Sequence, residues 1–211
     1  MELNDRQKDA LSELINIAFS RTAASLSELT GHRVMLATPT VAIFSINELG
    51  PALRAFLPAE VATVHQVFSG PVTGDALLLL NYDGAITLTD LLTDGVVKSD
   101  RLNTSAREVL TEVGNILLNA CLGMFGNLLQ VHVSFSVPRL HLETLDALLR
   151  SLMVGAQGLR YALVVYTAFR IRESAVSGYL VIALNVASLD RLIQEAETWE
   201  HRQGLVKTTL E

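Results

Sequence analysis

The sequence predicts an α+β fold: an internal duplication with pseudo-twofold symmetry, in which two long helices pack on a mainly antiparallel shared sheet. Three observations support this. Residues recur at a fixed offset: Glu13 with Glu112, Asn16 with Asn115 and Pro39 with Pro138 are each ninety-nine residues apart. A second block, "TGDALLLLNY" at 73–82, resembles "SGYLVIALNV" at 177–186, now offset by 104, as an insertion in a connection would cause. Strands joined by turns as short as "SGPVTG" at 69–74 should pair antiparallel.

Each half then reads in the same order. A long helical pattern opens it, at about 5–30 and 104–129, where apolar residues recur with the period of a helix. A strand follows, near 33–46 and 130–137. A short amphipathic helix comes next, around 48–57 ("NELGPALRAF") and 140–153 ("LHLETLDALLRSLM"). Two strands follow at about 60–69 and 73–82, then at 160–171 and 177–185; runs such as "ALLLL" at 76–80 suit strands buried in a core. A closing helix ends each half, near 84–93 and 187–199. The stretch 93–105, "TDGVVKSDRLNTS", has the turn residues and charges of a connector.

A chain of 211 residues, half hydrophobic and 18% charged, has ample material for a core. That core is built from Leu, Val, Ile and Ala, because aromatics are few. We read residues 1–211 as one domain made of repeats at about 1–99 and 100–211, since each half alone has too little to bury. A net charge of −6 without a basic run argues against nucleic acid and anionic membranes. The single cysteine, Cys121, excludes an intramolecular disulfide and a cysteine-built metal site. Its place on a core face suits a small buried hydrophobe. The start, "MELNDRQKDA", does not resemble a signal peptide, and the pure apolar runs are too short to span a membrane, so a cytoplasmic protein is expected. The five histidines are scattered without HxxxH or HExxH spacing, and no Walker loop or GxGxxG is present, so metal-dependent hydrolases and nucleotide enzymes are poorly supported.

The two long helices share a polar stripe. At 100° per residue, Asp9, Glu13 and Asn16 fall at i, i+4 and i+7 on one narrow face. Leu11, Leu14, Ile15, Ala18, Thr22, Leu26 and Leu29 lie opposite. In the second helix Glu108, Glu112, Asn115 and Asn119 line one face, while Leu110, Val113, Leu117, Cys121, Phe125 and Leu128 line the other. The trios are expected to face outward. Residues flanking them are small or polar, Leu122 excepted, so a partner's backbone could come close.

Each acid alone has an ordinary explanation, since a carboxylate on a solvated face keeps a protein soluble. Ser105 and Glu108 have the spacing of a capping box, and Asp9 suits the macrodipole near a helix start. Glu112 and Asn115 are harder to explain this way. Asn is a mediocre helix former, yet it stands mid-helix twice, each time three residues after Glu. Such an i, i+3 pair points a carboxylate and an amide the same way. The carboxylate can hold a partner's cation, and the amide can both donate to and accept from a water.

Asp9-x3-Glu13-x2-Asn16-x22-Pro39 and Glu108-x3-Glu112-x2-Asn115-x22-Pro138 resemble the signature of the CheC/CheX/FliY family of chemotaxis phosphatases, (D/S)-x3-E-x2-N-x22-P. Two copies in register look most like CheC, and the resemblance covers nearly the whole chain. It implies a hydrolase acting on the aspartyl phosphate of a CheY-type response regulator in two-component signalling. Glu13 and Glu112 would pair with the regulator's lysine; Asn16 and Asn115 would hold the attacking water in line. No cofactor of its own is implied, since the Mg²⁺ belongs to the regulator. Pro39 and Pro138 are given a structural role beside each helix. Glu108 departs from the signature where Asp9 fits it, which favours the first site as the stronger. The family also includes members that bind a receptor-modifying deamidase, CheD, a second candidate partner. A non-catalytic module that docks a receiver domain or CheD is the rival reading.

Overall fold

The computed structural model describes residues 4–95, 101–155, 159–171 and 174–209. In chain order the first half holds α1 (Asp5–Thr30), β1 (Val34–Leu36), β2 (Thr40–Ser45), α2 (Ile46–Arg54), β3 (Glu60–Ser69), β4 (Gly74–Asn81) and α3 (Tyr82–Leu92). The second half repeats the series as α4 (Thr104–Leu129), β5 (Ser134–Phe135), β6 (Arg139–Thr144), α5 (Leu145–Gly155), β7 (Leu159–Ile171), β8 (Ser174–Asn185) and α6 (Val186–Thr209). Both long helices, and the strand at 60–69, occupy the spans read from sequence. The closing helix of the second half runs ten residues further than expected, to Thr209. Part of the connector, 96–100, lies outside the described residues.

The structure corrects four local expectations. The strand expected at 33–46 is two strands broken at Pro39, which offers no N–H to a ladder. The strand at 130–137 shrinks to Ser134–Phe135. The segment "LHLET", expected to open a helix, is strand β6, and α5 starts only at Leu145. The capping box at Ser105 and Glu108 does not form; Asn103 caps α4 instead, its side chain accepting from the Ala106 amide at 2.9 Å.

Helix caps recur with the repeat. Asn4 caps α1 in a reciprocal box with Gln7, and Asn103 stands ninety-nine residues later. Ser45 precedes α2, its amide and hydroxyl both donating to Glu48 Oε2. Thr144, again ninety-nine residues on, accepts from the Ala147 amide at the start of α5. Asn81 and Asn185, offset by 104, cap α3 and α6 by accepting from Gly84 and Ser188.

All eight strands pair antiparallel in one sheet of order β1-β7-β8-β4-β3-β5, with β2 also on β7 and β6 also on β3. Each half thus lays its first two strands on a strand of the other half. At the centre β4 pairs with β8. Leu77 sits opposite Val181, its own counterpart at an offset of 104; Gly74 faces Leu184 just as Leu80 faces Gly178. Exchanging the halves maps this ladder onto itself, as a twofold between Leu77 and Val181 requires.

The sheet is covered on both faces. Ala76, Leu78, Leu80, Leu180, Ile182 and Leu184 join the core formed with α1, α3, α4 and α6. Leu77, Leu79 and Val181 join a second core under α2 and α5. This is why "ALLLL" is apolar without alternation. Helix α4 is long and apolar enough, by composition, to cross a membrane, but half of it is buried in the fold against α1 and the sheet.

Cys121 is fully buried on α4, and burial pushes its thiol well above the usual cysteine range. We expect an aromatic disulfide reagent at pH 8 to leave the native protein unlabelled and to titrate its one thiol only after denaturant is added. Rapid native labelling would show that α4 opens readily.

Candidate functional site

The polar stripes lie where two 26-residue helices leave one side uncovered. Asp9 and Glu13 on α1 are exposed, and so are Glu108 and Glu112 on α4; Asn16 and Asn115 are half-buried. Among the described residues none of the four carboxylates has an ion-pair partner, which leaves each able to meet an incoming cation. The stripe is narrower than expected. Phe19 on α1, and Gly114, Leu118 and Leu122 on α4, are also buried, so little beyond the acids and amides is presented. With no capping box at Ser105, Glu108 lies exposed on the helix surface, one turn before Glu112.

Pro39 and Pro138 occupy equivalent places, each directly before a strand. Two residues ahead of each proline the backbone is tied to the neighbouring half. The Ala37 amide donates to the Ala168 carbonyl, and the Ser136 amide to the Val67 carbonyl, both at 2.9 Å. The carbonyls of Ala37 and Ser136 are held in turn by side chains, Thr167 Oγ1 at 3.0 Å and Gln66 Nε2 at 2.9 Å.

Around the amides the two halves differ. Gln66 Nε2 also donates to Asn119 Oδ1 at 3.1 Å, and Asn119 Nδ2 donates to Asn115 Oδ1 at 2.7 Å. No such bond to the Asn16 side chain is found among the described residues. Its neighbour Ser20 instead bonds the Asn16 backbone carbonyl at 2.8 Å. Close approach of α4 to the sheet belongs to the same asymmetry. A Cβ on Gly114 would meet Val64 Cγ1 of β3 at 2.5 Å, so only glycine lets the helix lie this near, whereas α1 has the bulky Ile15 at that position. Asn119 was expected on the stripe, but its bond to Gln66 was invisible in sequence.

Glu13, Asn16, Glu112 and Asn115 line none of the principal cavities. The largest apolar one, about 450 Å³, lies across the sheet among Phe44, Phe56, Tyr166 and Tyr179. The stripes are open surface, suited to a macromolecular partner and not to an enclosed small molecule. Two histidines are engaged by carboxylates, His65 with Asp75 at 2.7 Å and His32 with Asp94 at 2.9 Å. Among the described residues no three His, Cys, Asp or Glu side chains are grouped as metal ligands.

This fold recurs in flagellar switch proteins of known structure. No family model matches the chain. Over 143 residues it is 22% identical to the flagellar motor switch phosphatase FliY of Bacillus subtilis (strain 168), a match covering 67% of this chain. The chain spans 37% of that relative's length. The crystal structure of Thermotoga maritima FliY superposes with a TM-score of 0.75 at 18% identity, over 94% of this chain and 99% of that one. FliM in a FliG–FliM complex from H. pylori gives 0.59 at 11% identity, over 91% and 100%. At these identities the likeness shows a shared fold, the one seen in FliY and FliM.

Proposed function

We propose that the chain is a phosphatase of phosphorylated response regulators, hydrolysing the aspartyl phosphate of a CheY-type receiver. What supports this most is the repeated pairing of an exposed, unpaired Glu with a half-buried Asn three residues later on each long helix. In this reading Glu13 or Glu112 meets the regulator's active-site lysine and draws the phosphorylated face onto the helix. Asn16 or Asn115 then holds a water in line with phosphorus. Phosphoryl transfer has a loose transition state, so positioning of the water supplies much of the acceleration. An amide is a poor base and a good orienter, and no Ser or Cys nucleophile is needed. The Mg²⁺ is supplied by the regulator and not by this chain. Asp9 and Glu108 border the two sites. The cytoplasm, where receiver domains are phosphorylated, is the compartment this activity needs.

The test is the decay of a phosphorylated CheY-type receiver with and without the protein, alongside the variant Glu13→Ala/Glu112→Ala. Wild type should accelerate decay. The double variant should bind the receiver about threefold to fivefold more weakly, up to roughly 1 kcal/mol, because an exposed carboxylate loses its cation. Unchanged decay with tight binding would overturn catalysis and leave the rival reading, an adaptor for receiver domains or CheD. The FliM likeness favours that rival, since FliM there is held in a complex with FliG.

A further inference from the structure

We propose that Gln66 and Asn119 are positioning residues for Asn115, and that they make the second site the faster of the two. This rests on the function proposed above, and it reverses the ranking that Asp9 suggests from sequence. The starting point is a group that cannot change its polarity. The Ser136 carbonyl only accepts, so the Gln66 group 2.9 Å from it must be the NH₂. The same nitrogen faces Asn119 at 3.1 Å, so Asn119 must turn its oxygen to Gln66. Asn119 then has its NH₂ toward Asn115, 2.7 Å away, and Asn115 must answer with its oxygen. One backbone carbonyl thereby sets the orientation of three amides.

The consequence falls on the reacting side. A terminal amide torsion is broad and roughly twofold, so an unheld Asn samples both faces. Asn115 is held in one of them. Its NH₂, and the second lone pair of its oxygen, are left for a water and a phosphoryl oxygen. Hydrogen bonds in a chain also polarise one another, which makes that outward NH₂ a better donor. Gln66 is 2% exposed, and its Oε1 finds no partner among the described residues. A buried amide left half-satisfied is a cost to stability, so its presence is better explained by orientation than by packing.

In the first half the relay is cut. Thr167 holds the Ala37 carbonyl just as Gln66 holds that of Ser136, but its hydroxyl is short and, among the described residues, bonds nothing on α1. Ser20, ninety-nine residues before Asn119, turns back to its own helix. Asn16 therefore has the chemistry of Asn115 without its restraint.

Kinetics on a phosphorylated CheY-type receiver separate the possibilities. Asn16→Ala isolates the second site and should retain most of the wild-type acceleration, while Asn115→Ala should retain the smaller part. Adding Asn119→Ser to Asn16→Ala installs the residue that α1 already tolerates at this place, so the helix should form. We expect kcat to fall about tenfold with KM unchanged, because docking through Glu112 is untouched. Asn119→Asp, which presents oxygen where NH₂ stood, should force Asn115 to flip and lower kcat as much. Undiminished kcat in both Asn119 variants overturns the inference, as does greater activity in Asn115→Ala than in Asn16→Ala. A wild type that does not accelerate decay at all overturns the proposed function itself.

Discussion

Truncating both amides, Asn16→Ala with Asn115→Ala, should reduce accelerated dephosphorylation about a hundredfold, a barrier increase of roughly 3 kcal/mol. The effect is large because the amides are assigned the one task that chemistry at phosphorus requires of this surface, placing the water. The fold should survive. Both side chains are half-buried at the helix surface, so truncation opens no closed cavity. Asn115→Ala also removes the acceptor of Asn119 Nδ2, on a side chain that is only half-buried. Receiver affinity should change little, since both carboxylates remain. The decay of the phosphorylated receiver, with circular dichroism and a binding titration on the same samples, measures all three. Wild-type acceleration by the double variant would mean the phosphate is hydrolysed some other way.

The opposite behaviour is expected of Leu77→Ala. Leu77 is fully buried at the midpoint of β4, opposite Val181 and beneath α2 and α5. Removing its branched end leaves a void that rigid ladders on either side cannot close. The expected loss is about 2–5 kcal/mol. For a chain of this size that lowers the melting temperature by roughly 10 °C. Thermal and urea unfolding should agree on the change, while per-molecule activity at low temperature should persist. A loss below about 1 kcal/mol would mean that the second core repacks freely.

Much of this architecture could be read from residues, and the misses have physical causes. Both long helices were legible because their apolar period runs for seven turns between clear breaks. The run "ALLLL" was legible as strand because it is too short for a helix and follows a turn. The segment "LHLET" misled because Leu140 and Leu142 suit either period, and "LDALLRSL" beyond it is strongly helical. The Asn103 cap could have been found: it repeats Asn4 at the same offset as the Glu-Asn pairs. At the site, the Glu-Asn spacing was visible because it is local to one helix. The hold on Asn115 was not, because Gln66 lies fifty-three residues from Asn119 and meets it only when β3 packs under α4. Nor could Gly114 announce itself, since its meaning depends on Val64 across the interface.

The crossed pairing of the sheet has a consequence for how the chain reaches this shape. β2 finds its ladder on β7, more than a hundred residues away, and β6 finds its own on β3. No half can complete its strands before the other has been synthesised, so closure of long loops sets the folding rate and the first half must wait with open edges. A half made by itself would leave both outer edges of the β3–β4 hairpin unmatched, and the partner that best fits those edges is another copy of the same half. Joining two such units on one chain holds them at a high effective concentration. It also lets the two helices diverge, so that Asn115 could acquire a restraint that Asn16 lacks.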